Sequence, residues 1–404
     1  MKNNTKFSLL QIRYIILGFL LMLFSGLVNA WSIFAEPIEM DLNIMRKDTS
    51  WVFAISMSVS ILGQFLSSNL NKVISNKYIY CLIALFSVVG FYGTSVSNNI
   101  YSIYIFYGVF AGLTIGMIYN LCMSTLLPFF NDNANFVIGI LLMGFGIGPL
   151  LLGTPLSYSI NYLGWRKSFV ILCVLYLLLL LNSAIFLPSY TNNKRYVETY
   201  TQVGVTTEKM LKDKYYWIFF LSSITIACTI LTLVGHSSLI SSDLGLTYKS
   251  STLMTGILAI SSGGARPFFG SLADKCNCNV QRNFLSFFSI LGSVFLYLGY
   301  KFNLLPLMIV AYILIGLANA CSAVYVCAFL THNYGNKYFG VNMAFTNIYM
   351  ILGSIFAATA GAIKQYTGYY TFAIVLMVTS SLITGILNII LNKKNRRSYV
   401  KTKF

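Results

Sequence analysis

The chain has few charged residues for its length. Only 9% of its 404 residues are Asp, Glu, Lys or Arg, whereas a soluble domain carries roughly 25%. Acidic residues number 10 and histidines 2, so paired catalytic carboxylates and histidine clusters have little to be built from. The sequence also contains no HExxH, no GxSxG and no phosphate-binding P-loop. These absences exclude a soluble domain and argue against an enzyme or an ATP-driven pump.

Long apolar runs take the place of charge. Hydrophobic residues make up 57% of the chain, the mean hydropathy is +0.74, and runs of about 20 apolar residues are typical of transmembrane helices. Twelve such runs lie near 14–35, 51–70, 79–97, 101–125, 136–158, 167–188, 215–240, 251–272, 283–300, 304–330, 340–363 and 371–391. The pattern predicts an all-α membrane protein of twelve helices in two pseudo-symmetric halves of six.

The basic residues are distributed unevenly among the loops. The net charge is +17, and most Lys and Arg residues fall where both termini and the central loop would face the cytoplasm, which is the bias expected of cytoplasmic loops. We therefore expect a multi-pass membrane protein with both termini cytoplasmic and no nucleic-acid partner. The cell membrane is the expected location, and an organellar membrane stays open.

A polar stretch divides the chain in two. We expect an N-terminal six-helix half at 1–188, a cytoplasmic linker at 189–214, a C-terminal half at 215–392 and a basic tail at 393–404. SSNLNK after the second span matches GSLADK after the eighth, and this alignment sets Gly63 opposite Arg266. Parallel repeats of this kind are typical of secondary transporters.

The hydropathy pattern places one charged residue, Arg266, inside a span. It assigns the neighbouring Lys275 and Arg282 to the loop between the eighth and ninth spans. A charge at the bilayer centre costs roughly 2.5–3.5 kcal/mol on insertion scales. A transported anion is the counter-ion that we expect. The structural alternative is that Arg266 snorkels or bonds backbone carbonyls.

The eight cysteines predict neither a disulfide framework nor a zinc site. Six lie in apolar spans, and Cys276 with Cys278 has no nearby histidine. We expect no cofactor and no metal, and a monomer in the lipid bilayer.

Four segments together resemble a known family. They are GLVNAWSIFAEP (26–37), GMIYN (116–120), GFGIGP (144–149) and GGARPFFGSLADK (263–275). They are similar to the oxalate/formate antiporter family of the major facilitator superfamily, whose wider relatives carry lactate and pyruvate. The resemblance implies alternating access and a carboxylate bound to cationic side chains.

The resemblance also implies site residues. Arg266 matches the family's helix 8 arginine, Trp31 a helix 1 tryptophan, Tyr119 a helix 4 tyrosine and Phe145 a helix 5 aromatic. The oxalate carrier has a lysine in helix 11, and the corresponding position of this chain is Thr346. Helix 10 of this chain has the more polar segment GLANACSAVY (316–325) where the family has aromatic residues. One cation suits a monocarboxylate, so lactate, pyruvate or formate is favoured over oxalate.

Other polar residues in the spans are candidates to line the site. They are Asn29, Trp31, Tyr119, Asn120, Asn319 and Tyr325, because buried amides and phenols need partners that a substrate or water supplies. Bonds among themselves are the alternative, and Trp31 also suits a membrane interface.

Two further features bear on coupling and gating. His236, in the outer part of the seventh span, is the candidate for proton coupling. The alternative is that it is simply a polar residue near the outer surface. Asp274 and Lys275 resemble the superfamily's charged loop motif and are predicted to hold one conformation. In the first half, Asn71 replaces the acid.

The sequence therefore predicts a secondary transporter of small monocarboxylates. Because a bound anion would cancel the charge of Arg266, anion exchange or co-transport with a proton is favoured over uniport. The alternatives are transport of another anionic or neutral metabolite, or a transporter-like membrane receptor.

Overall fold

The structure is a computed structural model that describes residues 7–130, 133–187, 204–245 and 248–393. Ten helices within these ranges are long and apolar enough to cross a membrane. One of them, Ala134–Phe186, contains two arms that meet at Gly164, and residues 248–275 form a further span interrupted at Ala265. The described ranges thus hold the twelve predicted spans, and the predicted all-α membrane fold is confirmed.

The chain divides into two compact units. One comprises Met1–Val203 with Phe339–Phe345, and the other Gly204–Tyr338 with Thr346–Phe404. The predicted linker lies outside the described residues up to 203, as does the basic tail from 394.

The first unit is built from helices of the N-terminal part of the chain. They are α1 (Leu9–Ser25), a 3-10 turn (Gly26–Ala30), α2 (Ser32–Leu42), α3 (Arg46–Leu70), α4 (Asn76–Ser95), α5 (Ile100–Ile103), a π-helical stretch (Tyr104–Ala111), α6 (Gly112–Leu126) and α7 (Ala134–Phe186).

The helices of the C-terminal part follow in order. They are α8 (Thr207–Leu211), α9 (Lys214–Ser242), α10 (Tyr248–Gly264), α11 (Arg266–Lys275), α12 (Cys278–Lys301), α13 (Leu305–Tyr334), α14 (Phe339–Thr346), α15 (Ile348–Thr367) and α16 (Thr371–Lys393).

Two glycines show how tightly the first unit is connected. Gly164 has a φ of +83°, a region that L side chains rarely adopt, and it turns the chain between the two arms of α7. A Cβ at Gly116 would lie 1.7 Å from the Ser60 carbonyl oxygen, so α6 and α3 approach backbone to backbone there. Small residues permit such close contacts between membrane helices.

The first span is longer than the hydropathy pattern predicts. The pattern places it at 14–35, but helix α2 continues to Leu42 and carries Glu36, Glu39 and Asp41. Asp41 accepts a hydrogen bond from the Trp165 indole (3.2 Å) and forms an ion pair with Arg166 (3.0 Å). The acidic end of the first span is therefore held against the turn in α7.

The second unit retains the end of the linker. Gly204 forms an isolated antiparallel bridge with Gly335, and the Val205 N–H donates to the Tyr334 carbonyl oxygen at 2.8 Å. The Tyr334 hydroxyl donates to Asp213 (2.9 Å), whose carboxylate also caps the start of α9. The chain thus enters the seventh span in a fixed position beside the end of α13.

Candidate substrate-binding site

Arg266 stands at a break in the eighth span. Helix α10 ends at Gly264, and α11 begins at Arg266 with Ala265 as its cap. Pro267 explains the break, because a proline inside a helix removes an N–H donor and clashes with the carbonyl four residues earlier, here that of Gly263. The helix resumes with a bond from the Phe269 N–H to the Ala265 oxygen (3.1 Å).

The guanidinium of Arg266 is removed from solvent. The residue is 7% exposed, and the helix that it begins packs against α13. It also occupies the first position of α11, where the helix dipole and free N–H groups favour an anion. Two cationic features, a side chain and a helix start, therefore coincide within the membrane.

The eleventh span is interrupted in the same manner. Helix α14 ends at Thr346, and Asn347 caps α15. Thr346 is fully buried, with its hydroxyl 3.5 Å from that of Tyr216, and Asn347 is nearly so. Discontinuous helices of this kind line the binding sites of many transporters. Thr346 thus lies at such a break, and its role in binding stays a prediction.

A second buried arginine was missed by the hydropathy pattern. Arg282, assigned to the loop between the eighth and ninth spans, lies in the second turn of α12 and is 1% exposed. The expectation that Arg266 is the one charge within the spans is therefore wrong. The signal for Arg282 was weak, because a basic residue at the edge of an apolar run is typical of a loop.

Arg282 is engaged within the protein. Its Nε donates to the Tyr325 hydroxyl (2.9 Å), Nη1 to Asn392 Oδ1 (2.9 Å) and Nη2 to the Tyr215 hydroxyl (3.4 Å). The guanidinium therefore ties α12 to α9, α13 and α16. Tyr325, a predicted substrate contact, uses its hydroxyl here.

Asn319, also on α13, is only partly buried. The described residues provide its side chain with no hydrogen-bond partner. Its predicted role in lining the site is compatible with this position and stays a prediction.

Trp31 is embedded in the first unit. Its indole N–H donates to the Thr49 carbonyl oxygen at 2.9 Å, and its ring lies 4.4 Å from that of Tyr107. The residue is 4% exposed. Both the polar and the apolar parts of Trp31 are thus occupied by protein, which supports packing over substrate contact.

Tyr119 and Phe145 do come together in the first unit. Their ring centroids are 5.4 Å apart in an edge-to-face arrangement, and both residues are partly exposed. Asn29 is exposed within the 3-10 turn that interrupts the first span. These three predicted residues keep accessible polar or aromatic surface.

Asn120 is occupied by bonds within its own unit. Its Nδ2 is within hydrogen-bond distance of the Gln64 oxygen (3.1 Å), Ser68 Oγ (2.9 Å) and the Gly340 oxygen (2.8 Å). This set joins α6 to α3 and to the start of α14. A structural role accounts for Nδ2, whereas the buried Oδ1 has no hydrogen-bond partner among the described residues.

His236 bridges three spans of the second unit. Nε2 lies 3.0 Å from the Ala357 carbonyl oxygen, which can only accept, so this nitrogen carries the proton. Nδ1 is then free to accept from the Tyr370 hydroxyl at 3.1 Å. A second proton on the ring would force Tyr370 to change from donor to acceptor.

Asp243 and Lys364 form the charged part of this outer region. They make an ion pair, and Asp243 also accepts from the Tyr300 hydroxyl at 3.1 Å. Tyr300 in turn accepts the Tyr370 N–H at 3.1 Å. His236 therefore belongs to a network that reaches the carboxylate through two tyrosines.

The predicted gating pair lies at the far end of the helix that Arg266 begins. Asp274 is partly buried and Lys275 exposed in the last turn of α11. A rigid helix thus connects the candidate binding residue with the charged turn. Among the described residues no group of three or more His, Cys, Asp or Glu is arranged to hold a metal ion.

Known proteins share both the sequence pattern and the fold. The family model of the Major Facilitator Superfamily matches residues 15–358. The chain is 23% identical over 265 residues to the oxalate:formate antiporter of Oxalobacter formigenes, covering 65% of this chain and 63% of that protein. It is 21% identical over 274 residues to monocarboxylate transporter 11 of Mus musculus, covering 68% and 61%. The matched regions are thus less than two thirds of each relative's length.

The architecture has a solved counterpart. The proton:xylose symporter XylE bound to 6-bromo-6-deoxy-D-glucose aligns with a TM-score of 0.69 over 95% of both chains, at 12% sequence identity. A double tryptophan mutant of XylE gives a TM-score of 0.72 over 96% of this chain and 97% of that one. At this identity the likeness concerns the fold alone.

Proposed function

Because the chain belongs to the major facilitator superfamily and is a membrane transporter of that fold, we propose that it carries small monocarboxylates of the lactate, pyruvate or formate class. Alternating access by the two six-helix halves, 1–188 and 215–392, is part of this proposal. The transport would be secondary, driven by a second solute and not by ATP.

The observation that carries the proposal is Arg266, buried where the eighth span breaks. Arginine offers a planar fork that fits a carboxylate with two parallel hydrogen bonds, and it stays charged at any physiological pH. The start of α11 adds partial positive charge at the same place. A carboxylate is the ligand whose charge and shape fit both features.

The charges expected at the site support a monocarboxylate. Thr346 is neutral where the oxalate carrier's lysine is expected, and Arg282 already donates to three side-chain oxygens. One cation then faces one carboxylate, and their charges cancel. The names of two relatives, an oxalate:formate antiporter and a monocarboxylate transporter, support the same class.

Charge cancellation also favours particular coupling modes. Moving a buried charge through a closed state is costly, and a bound monocarboxylate neutralises Arg266. Exchange of one anion for another, or co-transport of the anion with a proton, retains that neutrality. In the proton-coupled mode His236 is the proposed proton carrier.

Uptake into proteoliposomes tests the proposal. The full chain is reconstituted and supplied with labelled lactate, pyruvate, formate or oxalate, with and without unlabelled acid inside and with a pH gradient of either direction. We expect saturable uptake of a monocarboxylate that internal monocarboxylate or an inward proton gradient accelerates, and little uptake of oxalate. Protein-free liposomes set the background.

Two outcomes would contradict it. Absence of any carboxylate uptake alongside saturable uptake of a neutral metabolite would favour the alternative substrate class. Fast electrogenic uptake with neither internal acid nor a proton gradient would contradict both anion exchange and co-transport with a proton.

A further inference from the structure

Helix α14, the first part of the eleventh span, does not pack with the rest of that span. Phe339–Phe345 belongs to the first unit, whereas the residues on either side belong to the second. The chain turns at Gly335, whose φ is +73°, before this segment, and the helix breaks at Asn347 after it. Helix α15, beyond the break, packs against α9. A turn and a break thus separate α14 from the second unit at both ends.

Close contacts hold α14 against α3 and α6. The Asn120 Nδ2 lies 2.8 Å from the Gly340 carbonyl oxygen. A Cβ at Gly340 would lie 2.9 Å from Ser68 Oγ and 3.1 Å from Asn120 Oδ1, so only a glycine allows this approach. Further along α14, the Phe345 ring meets that of Phe65 edge to face, with centroids 4.7 Å apart. These contacts dock α14 on the first unit.

The donor end of the Asn120 amide does not depend on α14. Nδ2 carries two protons and has three acceptors within reach, of which Gln64 O and Ser68 Oγ lie on α3. The Gly340 oxygen in turn accepts the N–H of Ala344, four residues later, as in any α-helix. If α14 leaves, both protons of Nδ2 and the Gly340 oxygen therefore keep partners.

The acceptor end of the same amide opposes docking. Asn120 is 1% exposed, and its Oδ1 has no hydrogen-bond partner among the described residues. A buried acceptor without a donor is unfavourable, and water reaches it once α14 has moved away. The docked state therefore gains little at Nδ2 and is destabilised at Oδ1.

We propose that α14 is a gate at the linker end of the eleventh span, which moves separately from α15, and that Asn120 keeps it releasable. Gly335 and Asn347 are the proposed hinges, since hinges are a few residues at the ends of elements. This inference rests on alternating access, which is part of the proposed function, and names a segment that moves. Release would expose the face of α14 that carries Gly340 and the fully buried Ala344, because residues four positions apart share a helix face.

Thiol labelling of Ala344→Cys measures this release. The full chain is reconstituted in lipid nanodiscs, where reagent reaches both membrane faces, and is labelled with a charged, membrane-impermeant maleimide. Gly340→Ala and Asn120→Asp are each combined with Ala344→Cys. Gly256→Ala is the matched control, since a Cβ there meets nothing within 4 Å. Every variant is also labelled without Ala344→Cys, which gives the reactivity of the native cysteines.

We expect Gly340→Ala to speed labelling of Ala344→Cys about tenfold, because the added methyl group overlaps Ser68 and Asn120 only when α14 is docked. Asn120→Asp should speed it by about as much, since a buried carboxylate beside carbonyl oxygens is less favourable than an amide. Gly256→Ala should leave the rate unchanged. The buried native cysteines should stay unreactive throughout.

Two results would overturn the inference. Unchanged labelling in Gly340→Ala would show that the docked contacts do not restrict α14, and this variant alone decides if Asn120→Asp does not fold. Equal acceleration at the buried native cysteines would show general loosening and not release of one segment.

Labelling needs no substrate, so the gate and the proposed function fail separately. A protein that shows the expected labelling differences but moves none of pyruvate, lactate and formate would retain the gate and lose the proposed substrate class. A protein that moves pyruvate with unchanged labelling in Gly340→Ala would retain the proposed function and lose the gate.

Discussion

The described part of the second unit contains two buried arginines, and they differ in their surroundings. Arg282 donates to Tyr325, Asn392 and Tyr215, so its hydrogen bonds are made within the protein. Arg266 stands at a helix break, at the first position of α11. A buried cation is thus structural where protein oxygens accept its hydrogen bonds, whereas a buried cation at a helix break is the candidate for binding a substrate.

Substitution of Arg266 should give the largest difference in transport between the two arginines. Arg266→Ala should reduce the ratio of maximal rate to KM for pyruvate by about 100-fold or more, because a bidentate charged contact is lost. Arg266→Lys should lie between, since a point charge replaces a planar fork. Counterflow in proteoliposomes measures both, and normal transport by both variants would reject the substrate role.

Substitution of Arg282 should lower the stability of the protein and leave substrate binding nearly unchanged. Arg282→Ala leaves two buried tyrosine hydroxyls and the partly buried Asn392 amide without their donor. It should lower the free energy of unfolding by about 2 kcal/mol, whereas Tyr325→Phe should lower it by about half of that. In both variants the KM for pyruvate should stay within about twofold. Thermal unfolding and counterflow are measured on the same preparations. A raised KM with unchanged stability would move Tyr325 back to the substrate site.

Asp274 tests the other end of the helix that starts at Arg266. Asp274→Asn should slow the maximal rate about fivefold, on the order of 1 kcal/mol in the barrier, because the charged turn is predicted to hold one conformation. The KM should change little. Glu208→Gln, at a solvent-exposed ion pair with Lys212, is the control. Equal rates in the two variants would argue against a gating role.

His236 gives the smallest expected effect. His236→Gln should retain pyruvate counterflow but lose the acceleration of net uptake by an inward proton gradient, because the ring can no longer change its bond with Tyr370. Counterflow and gradient-driven uptake are compared in one set of vesicles. If a proton gradient still accelerates net uptake by His236→Gln, the hydrogen-bond network around His236 has a structural role only.

The sequence predicted more of the fold than of the site. Hydropathy located the twelve spans, since a bilayer requires long apolar helices whatever their packing. The motif resemblance is confirmed at the level of the superfamily. Packing was less predictable: Trp31 and Tyr325 look like lining residues on polarity alone, yet their polar atoms bond Thr49 and Arg282.

The amino-acid sequence by itself determined that this chain crosses the membrane repeatedly and places an arginine in the eighth span, because both follow from local composition. Only the tertiary structure decided that Arg282 is buried as well, that its donors are used internally, and that the eleventh span breaks just after Thr346. Whether a buried polar group is satisfied depends on helices far apart in the chain. No periodicity or motif in one segment carries that information.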